Sequence, residues 1–365
     1  MVLHNKLSKE EAKKRLMDEP FKRKTVSFYR YVKIGDPEEM RNNLYKDWNE
    51  LKVFGRIYVA NEGINAQLSV PEFNWEKFIE NLYSKDEFKE VPFKVAVEDN
   101  GKSFYKLAIK VRKKIVADGI DDPSFNPNDT GHYLDAAGFN QMIENPDTIV
   151  IDMRNHYESE VGRFENAYCP DADTFREELP EVVNHLQGKE EQPVLMYCTG
   201  GIRCEKASAY MKYKGFKNVY HLRGGIIQYA QEVKEKGLKS KFVGKNFVFD
   251  ERIGERITDD VIAECHQCGK PCDNHVNCAN DDCHLLFIQC DECKEKMNGC
   301  CTPDCMHIAS LPLDEQKKLR KGRIKNGTEC LAVYKSRLRP NLREVLKSLS
   351  FGNNKELPSN NNLLI

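Results

Sequence analysis

The chain has no run of about 18 apolar residues, which excludes an ordinary membrane-spanning helix. Its first residues, MVLHNKLSKEEAKKRLMDEPFKRK, lack the apolar stretch of a secretory signal, so a cytoplasmic protein is expected. No internal repeat points to a solenoid, no haem-attachment motif is visible, and no two-His-one-carboxylate iron site is evident. Net charge is also nearly absent: 56 basic against 57 acidic side chains leaves −1 over 365 residues. A length of that order calls for two or three domains rather than one core.

What the balance conceals is uneven placement. Lys317, Lys318, Arg320, Lys321, Arg323, Lys325, Lys335, Arg337, Arg339, Arg343 and Lys347 share their stretch with only Glu329 and Glu344. Such a basic stretch is either a nucleic-acid contact or a solvated face. Cysteine is abundant, 14 in all, and most fall between Cys265 and Cys305. In a chain of this size without a leader, that density favours metal binding or redox chemistry over a disulfide framework.

Hydrophobic periodicity divides the chain into segments. After an N-terminal extension (1–24), residues 25–118 alternate strands with helices. TVSFYRYV, FGRIYVANEGINAQLSV (two strands turning at Asn61–Gly63), FKVAVED and FYKLAIKVRK are β-rich; PEEMRNNLYKDWNELKV and FNWEKFIENLYS have helical spacing. The order β-α-β-β-α-β predicts a ferredoxin-like (acylphosphatase-like) α+β domain. The polar DGIDDPSFNPNDTG reads as a separator. Residues 128–242 then predict an α/β domain with a parallel sheet, from the strands DTIVIDMR, PVLMYC and NVYHLRGG and the helices DTFREELPEVVNHLQ and EKASAYMKYKG. Residues 245–350 are cysteine-rich and basic, and 351–365 read as a disordered tail.

One string carries chemistry. In PVLMYCTGGIRCEKASAYM an apolar strand delivers Cys198 to its carboxyl end, and Thr199, Gly200, Gly201, Ile202 and Arg203 curl before a helix. Glycines let backbone N–H groups turn inward at a helix N-terminus, and an adjacent guanidinium adds positive potential. Those conditions stabilise a thiolate and make it nucleophilic. A sulfur sealed in apolar packing with no such donors would contradict this reading. Asp152 and Arg154 are expected to support the loop by hydrogen bonds, and Cys204 either resolves a persulfide on Cys198 or merely packs on the helix.

These motifs resemble the rhodanese family. CTGGIR is similar to its six-residue active loop, VIDMRNHYESEVGRFENA to its first signature, and VYHLRGGIIQYA to its second. GRFENA departs from the usual Gly-His-Ile-Pro-Gly-Ala. The resemblance implies that Cys198 accepts a sulfane sulfur and becomes a persulfide. With VANEGINAQLSV and the cysteine-rich string from Cys265 to Cys301, nearly the whole chain resembles the bacterial oxygen-dependent tRNA uridine hydroxylases. That resemblance implies formation of 5-hydroxyuridine at position 34, with molecular oxygen as substrate and the tRNA anticodon region and a sulfur donor as partners. The residues themselves leave two alternatives open: a thiosulfate or persulfide sulfurtransferase, and a non-catalytic RNA-binding adaptor.

Cys265-x-x-Cys268 and Cys290-x-x-Cys293, 21 residues apart, approach zinc-ribbon spacing. Cys272, Cys278, Cys283, Cys300, Cys301, Cys305, His275 and His284 are available for a second site. Structural zinc is expected; iron–sulfur ligation and disulfides are the alternatives.

Overall fold

A computed structural model describes residues 5, 7–324, 341–344 and 347. The chain divides into two units, residues 1–159 with 163–259 and residues 160–162 with 260–365.

The first unit opens on α1 (Lys9–Met17), where the Ser8 hydroxyl accepts the Glu11 N–H and the Glu11 carboxylate accepts the Ser8 N–H. There follow β1 (Arg23–Tyr31), α2 (Pro37–Glu50), β2 (Phe54–Ala60), β3 (Gly63–Pro71), α3 (Trp75–Tyr83), β4 (Lys94–Val95) and β5 (Leu107–Val111). Pro37 pre-sets the first turn of α2, and the Asp36 carboxylate accepts the N–H groups of Glu38 and Glu39. The sheet order is β4-β1-β3-β2-β5. The ferredoxin-like α+β arrangement is present, with β5 added parallel to β2 as a fifth strand. FKVAVED contributes only two residues of strand. Beyond Ala96 the Asp99 carboxylate takes over, accepting the N–H and hydroxyl of Thr25 in place of a main-chain ladder. Phe28, Trp48, Ile57, Leu68 and Phe78 form the core under this sheet. Side chains of that size contribute roughly 1.5–3 kcal/mol each on burial.

The stretch read as a separator is built into the structure. Asp118 is buried, and Phe125 packs edge-on against Tyr210 and Tyr213. Next come β6 (His132–Leu134), α4 (Ala136–Ile143), β7 (Ile149–Asp152), α5 (His156–Ser159), β8 (Gly162–Phe164), α6 (Phe175–His185), β9 (Val194–Tyr197), α7 (Ile202–Tyr213), β10 (Val219–Leu222), α8 (Gly225–Lys236), β11 (Phe242–Phe247) and β12 (Gly254–Arg256). The four-stranded sheet β6-β10-β9-β7 is parallel throughout, the rhodanese-like α/β architecture. Period-two alternation gives its central strand two buried faces. Val194, Met196 and Cys198 pack with Leu179, Ala207 and Met211 on one side. Leu195 and Tyr197 pack with Phe139, Phe164 and Tyr229 on the other.

The second unit is the cysteine-rich segment. It contains the antiparallel pair β13 (His275–Asn277) and β14 (Leu286–Ile288), then α9 (Asp291–Lys296), α10 (Pro303–Ser310) and α11 (Leu313–Ile324). Along β14 the alternation again separates two cores: Ile288 joins Cys265 and Cys272, and Phe287 joins Cys278, Cys300 and Cys301. Among the described residues no helix is long and apolar enough to cross a membrane. The expected disordered tail, 351–365, lies outside the described residues.

Candidate active site

Cys198 stands one residue beyond β9, between its neighbours β10 and β7. Thr199, Gly200 and Gly201 make the turn, and α7 starts at Ile202. Gly201 has φ +94°, and a Cβ there would lie 2.8 Å from the Tyr29 hydroxyl, so both the turn and the close approach require glycine. The Leu-Arg-Gly-Gly run braces the loop from the other side. Gly225 has φ +67°, and a Cβ would fall 2.5–2.7 Å from Cys198 O, Thr199 O and Gly200 N. The N–H groups of Ile226 and Ile227 donate to the carbonyls of Cys198 (3.0 Å) and Thr199 (3.2 Å).

The sulfur is fully enclosed, yet it is not sealed among apolar atoms alone. Its Sγ accepts the Gly201 N–H at 3.2 Å. Burial raises the thiol, but the side-chain hydrogen bond from Cys204, the Arg203 charge and the N–H groups of Cys204 and Gly201 outweigh it, and the pKa is lowered to about 6. Cys204 is pushed well up by burial and by its hydrogen bond to Cys198, so it keeps the proton of the pair. Since Cys198 has no exposed surface, a reactant reaches it only after a covering group moves.

Arg203 does more than face the sulfur. Its guanidinium grips Glu158 with two parallel bonds, Nη1–Oε1 2.6 Å and Nη2–Oε2 2.8 Å, while the Thr199 hydroxyl also donates to Glu158 (3.2 Å). Asp152 and Arg154 form a second fully buried pair (2.8 and 2.7 Å), and Tyr197 donates to Asp152 at 2.7 Å. Both bear on Tyr197, the residue immediately before Cys198. Glu178, on α6, is a buried carboxyl whose two oxygens meet no hydrogen-bond donor among the described residues; burial raises it well above the usual carboxylate range, partly opposed by Arg203.

The ferredoxin-like segment closes over this loop. Tyr29 donates to Glu205 (2.9 Å) and Tyr31 to the carbonyl of Ile202 (3.2 Å). Lys206 pairs with Glu62 at 2.7 Å and with Asp118. A cleft of about 560 Å³ remains, lined by Tyr29, Lys94, Tyr133, Glu205 and Arg223 among others.

In the second unit the cysteines gather in two fours: Cys265, Cys268, Cys290, Cys293 and Cys278, Cys283, Cys301, Cys305. Within each four the sulfurs lie within 4.8 Å of one another. Cys268 and Cys290 are 3.6 Å apart, Cys283 and Cys301 3.6 Å, Cys301 and Cys305 3.7 Å. A tetrahedron with metal–sulfur bonds of about 2.3 Å has edges of about 3.8 Å. A disulfide needs about 2.05 Å. The first four is the predicted set; Cys272, Cys300, His275 and His284 belong to neither. In chain order the pairs alternate between the two sites, so each site is closed across a pair belonging to the other.

Three family models tile the chain: an acylphosphatase-like domain of the UPF0176 type over residues 23–115, a rhodanese-like domain over 135–232, and a rhodanase C-terminal domain over 243–306. A protein named tRNA uridine(34) hydroxylase from Enterobacter sp. (strain 638) is 55% identical over 93% of this chain and 98% of its own. Proteins of the same name from Leptospira interrogans (53%; 97% and 95%) and Yersinia pestis (59%; 88% and 91%) match similarly. The chain belongs to the tRNA uridine(34) hydroxylase family. A solved rhodanese-like domain from Anabaena overlaps 31% of the chain and 78% of its own at 17% identity and a TM-score of 0.25. At that score the likeness decides nothing, and membership of the hydroxylase family rests on the full-length relatives.

Within this family member, sequence reasoning missed Glu158, Glu178, Tyr29 and Lys94. Glu158 had a signal, since it lies inside the HYESE part of the first signature. The other three had none, because only the packing of separate segments brings them to the loop. The departure GRFENA has a structural consequence: Phe164 packs on Phe139, Tyr197 and Tyr229, and its N–H donates to the Tyr197 hydroxyl. Of the basic stretch, Arg343 pairs with Glu264 (2.6 Å) and Lys317 with Asp314 (3.7 Å). Lys325, Lys335, Arg337 and Arg339 lie outside the described residues.

Proposed function

We propose that this chain hydroxylates uridine 34 of tRNA, forming 5-hydroxyuridine with molecular oxygen as the oxygen source, and that Cys198 is its reactive thiolate. The carrying observation is identity of 53–59% to tRNA uridine(34) hydroxylases over 88–97% of the chain. The donors around Cys198 support the assignment of the nucleophile, since a thiol lowered to about 6 is mostly ionised at neutral pH. Its thiolate would attack the outer sulfur of a sulfane donor, forming Cys–S–S⁻ and releasing the rest of the donor as leaving group. In this reading Thr199, Gly200, Gly201, Ile202 and Arg203 form the cradle, and Asp152 and Arg154 fix the strand that presents it.

Each cysteine four binds zinc in this proposal, supported by the sulfur separations, and orders a segment with few large apolar residues. Acting on tRNA puts the enzyme's work in the cytoplasm. The test is mass spectrometry of tRNA from cells lacking the protein: loss of 5-hydroxyuridine at position 34, restored by wild type but not by Cys198→Ser, is expected. Unchanged modification overturns the proposal. The six-residue loop favours one second reading, thiosulfate sulfurtransfer. A thiosulfate–cyanide assay, with activity lost in Cys198→Ala and tRNA unaffected, would select it.

A further inference from the structure

Lys94 sits on the two-residue edge strand β4, opposite Ser27 of β1, and is only 6% exposed. Its ammonium lies 4.1 Å from the centre of the Tyr29 ring, and among the described residues no hydrogen-bond acceptor holds it. Its donors therefore open onto the cleft, where water, or an acceptor on a bound ligand, meets them. The open side of Lys94 is the cleft beside the Cys198 loop. Burial lowers its pKa to about 8, opposed by Glu205 and Cys198, which leaves it mostly charged at neutral pH.

The rest of that cleft is suited to a nucleotide. Tyr133 is 41% exposed, backed by His221 at 4.3 Å and anchored to Glu205 through its hydroxyl at 2.5 Å. This gives a held, partly exposed ring against which a base could stack. The exposed Arg223 has its guanidinium 5.7 Å from the same ring, in reach of a phosphate carried by that nucleotide. Tyr29 connects the cleft to the sulfur: its hydroxyl lies against Gly201, whose N–H donates to Cys198.

We propose that Lys94 contacts the substrate base, donating to O4 of the uracil and thereby rejecting cytosine. The inference rests on the uridine-hydroxylase reading above. C5 is bonded to C4, so a group next to the Cys198 loop that works at C5 stands beside O4, with O2 across the ring. Uracil offers an acceptor at that position and cytosine an amino donor. An ammonium carries donors only, so cytosine would leave it desolvated and facing another donor.

The test compares short anticodon stem-loops carrying U34 or C34 on the full-length enzyme, with hydroxylated product read by mass spectrometry and loop affinity by fluorescence anisotropy. Wild type is expected to favour U34 by about 100-fold or more. Lys94→Met should lower kcat/KM on U34 by about 100-fold and bring the U/C ratio close to one, while Lys94→Arg keeps the ratio. A Lys94→Met enzyme that melts like wild type and retains both its U34 rate and its U/C ratio overturns the proposal. If Lys94→Met does not fold, a Lys94→Arg enzyme without U/C preference overturns it and one with the preference supports it. Should wild type form no 5-hydroxyuridine, the proposed activity fails by itself. The affinity ratio of the two loops, wild type against Lys94→Met, then decides the role of Lys94: a ratio lost in the variant supports it, an unchanged ratio overturns it.

Discussion

Cysteine is used in opposite ways by the two units. In the first, Cys198 is surrounded by N–H groups, a second thiol and a guanidinium, which leave it ionised and unattached. In the second, eight thiols gather in two fours, with Sγ–Sγ separations of 3.6–3.7 Å, the spacing a tetrahedral metal would give. The difference lies in what satisfies the sulfur. Backbone donors stabilise the charge yet leave a lone pair able to react, whereas a tetrahedral metal occupies that lone pair and makes the sulfur structural. Scaffold follows use: Cys198 is placed by a sheet with two apolar faces, while the clustered thiols lie in a segment whose own cores are largely cysteine.

Metal removal is the strongest way to test that contrast. Protein purified under reducing conditions should carry about two zinc ions per chain, one for each four. Chelation should abolish the cooperative melting of the second unit, with a loss on the order of 10 kcal/mol or more per site, and leave Cys198 titrating as before. Because the pairs alternate along the chain, Cys278→Ser should release both ions; metal analysis showing one ion retained would break the interleaved picture.

Cys198→Ser should lower hydroxylation by about 10³-fold or more with little change in melting temperature, since serine keeps the size but not the thiolate. Product formed at the wild-type rate would remove Cys198 from the chemistry.

A smaller effect is expected for Arg203→Gln. It leaves Glu158 buried without its cation, which costs roughly 3–5 kcal/mol, and takes a positive charge from the sulfur. Alkylation of Cys198, with a midpoint near pH 6 in wild type, should shift toward the ordinary thiol range. An unmoved midpoint would mean that the amides and Cys204 suffice.

The smallest concerns Glu178. Unfolded, its carboxyl ionises near 4.5; buried, it holds its proton to much higher pH. The folded state therefore binds the extra proton, and the stability it contributes is complete below about 4.5 and lost as pH rises. Glu178→Gln should raise the melting temperature by a few degrees at neutral pH and flatten its decline with pH. A variant that melts lower would show that the carboxylate is used.

Much of the architecture is legible in local pattern. Three of the four strands of the parallel sheet announce themselves as short apolar runs, whereas β6 (His132–Leu134), exposed or half-buried throughout, does not; Gly201 and Gly225 mark turns that no side chain tolerates. The brevity of β4 was not legible, because the Asp99 side chain that replaces its ladder looks like any loop acid. Nor was the buried state of Asp118, which depends on Lys206 arriving from α7.

By itself the sequence determined where the chain must turn around Cys198 and pointed to that thiol and the clustered cysteines as candidates, because those depend on residue type and spacing within one short stretch. Only the tertiary structure decided that Arg203 is shared with Glu158, which cysteines form the second four, and that Lys94 opens into a cleft with Tyr29, Glu205 and Gly224. Distances between residues far apart in sequence are set by how whole segments pack, and no local pattern encodes them.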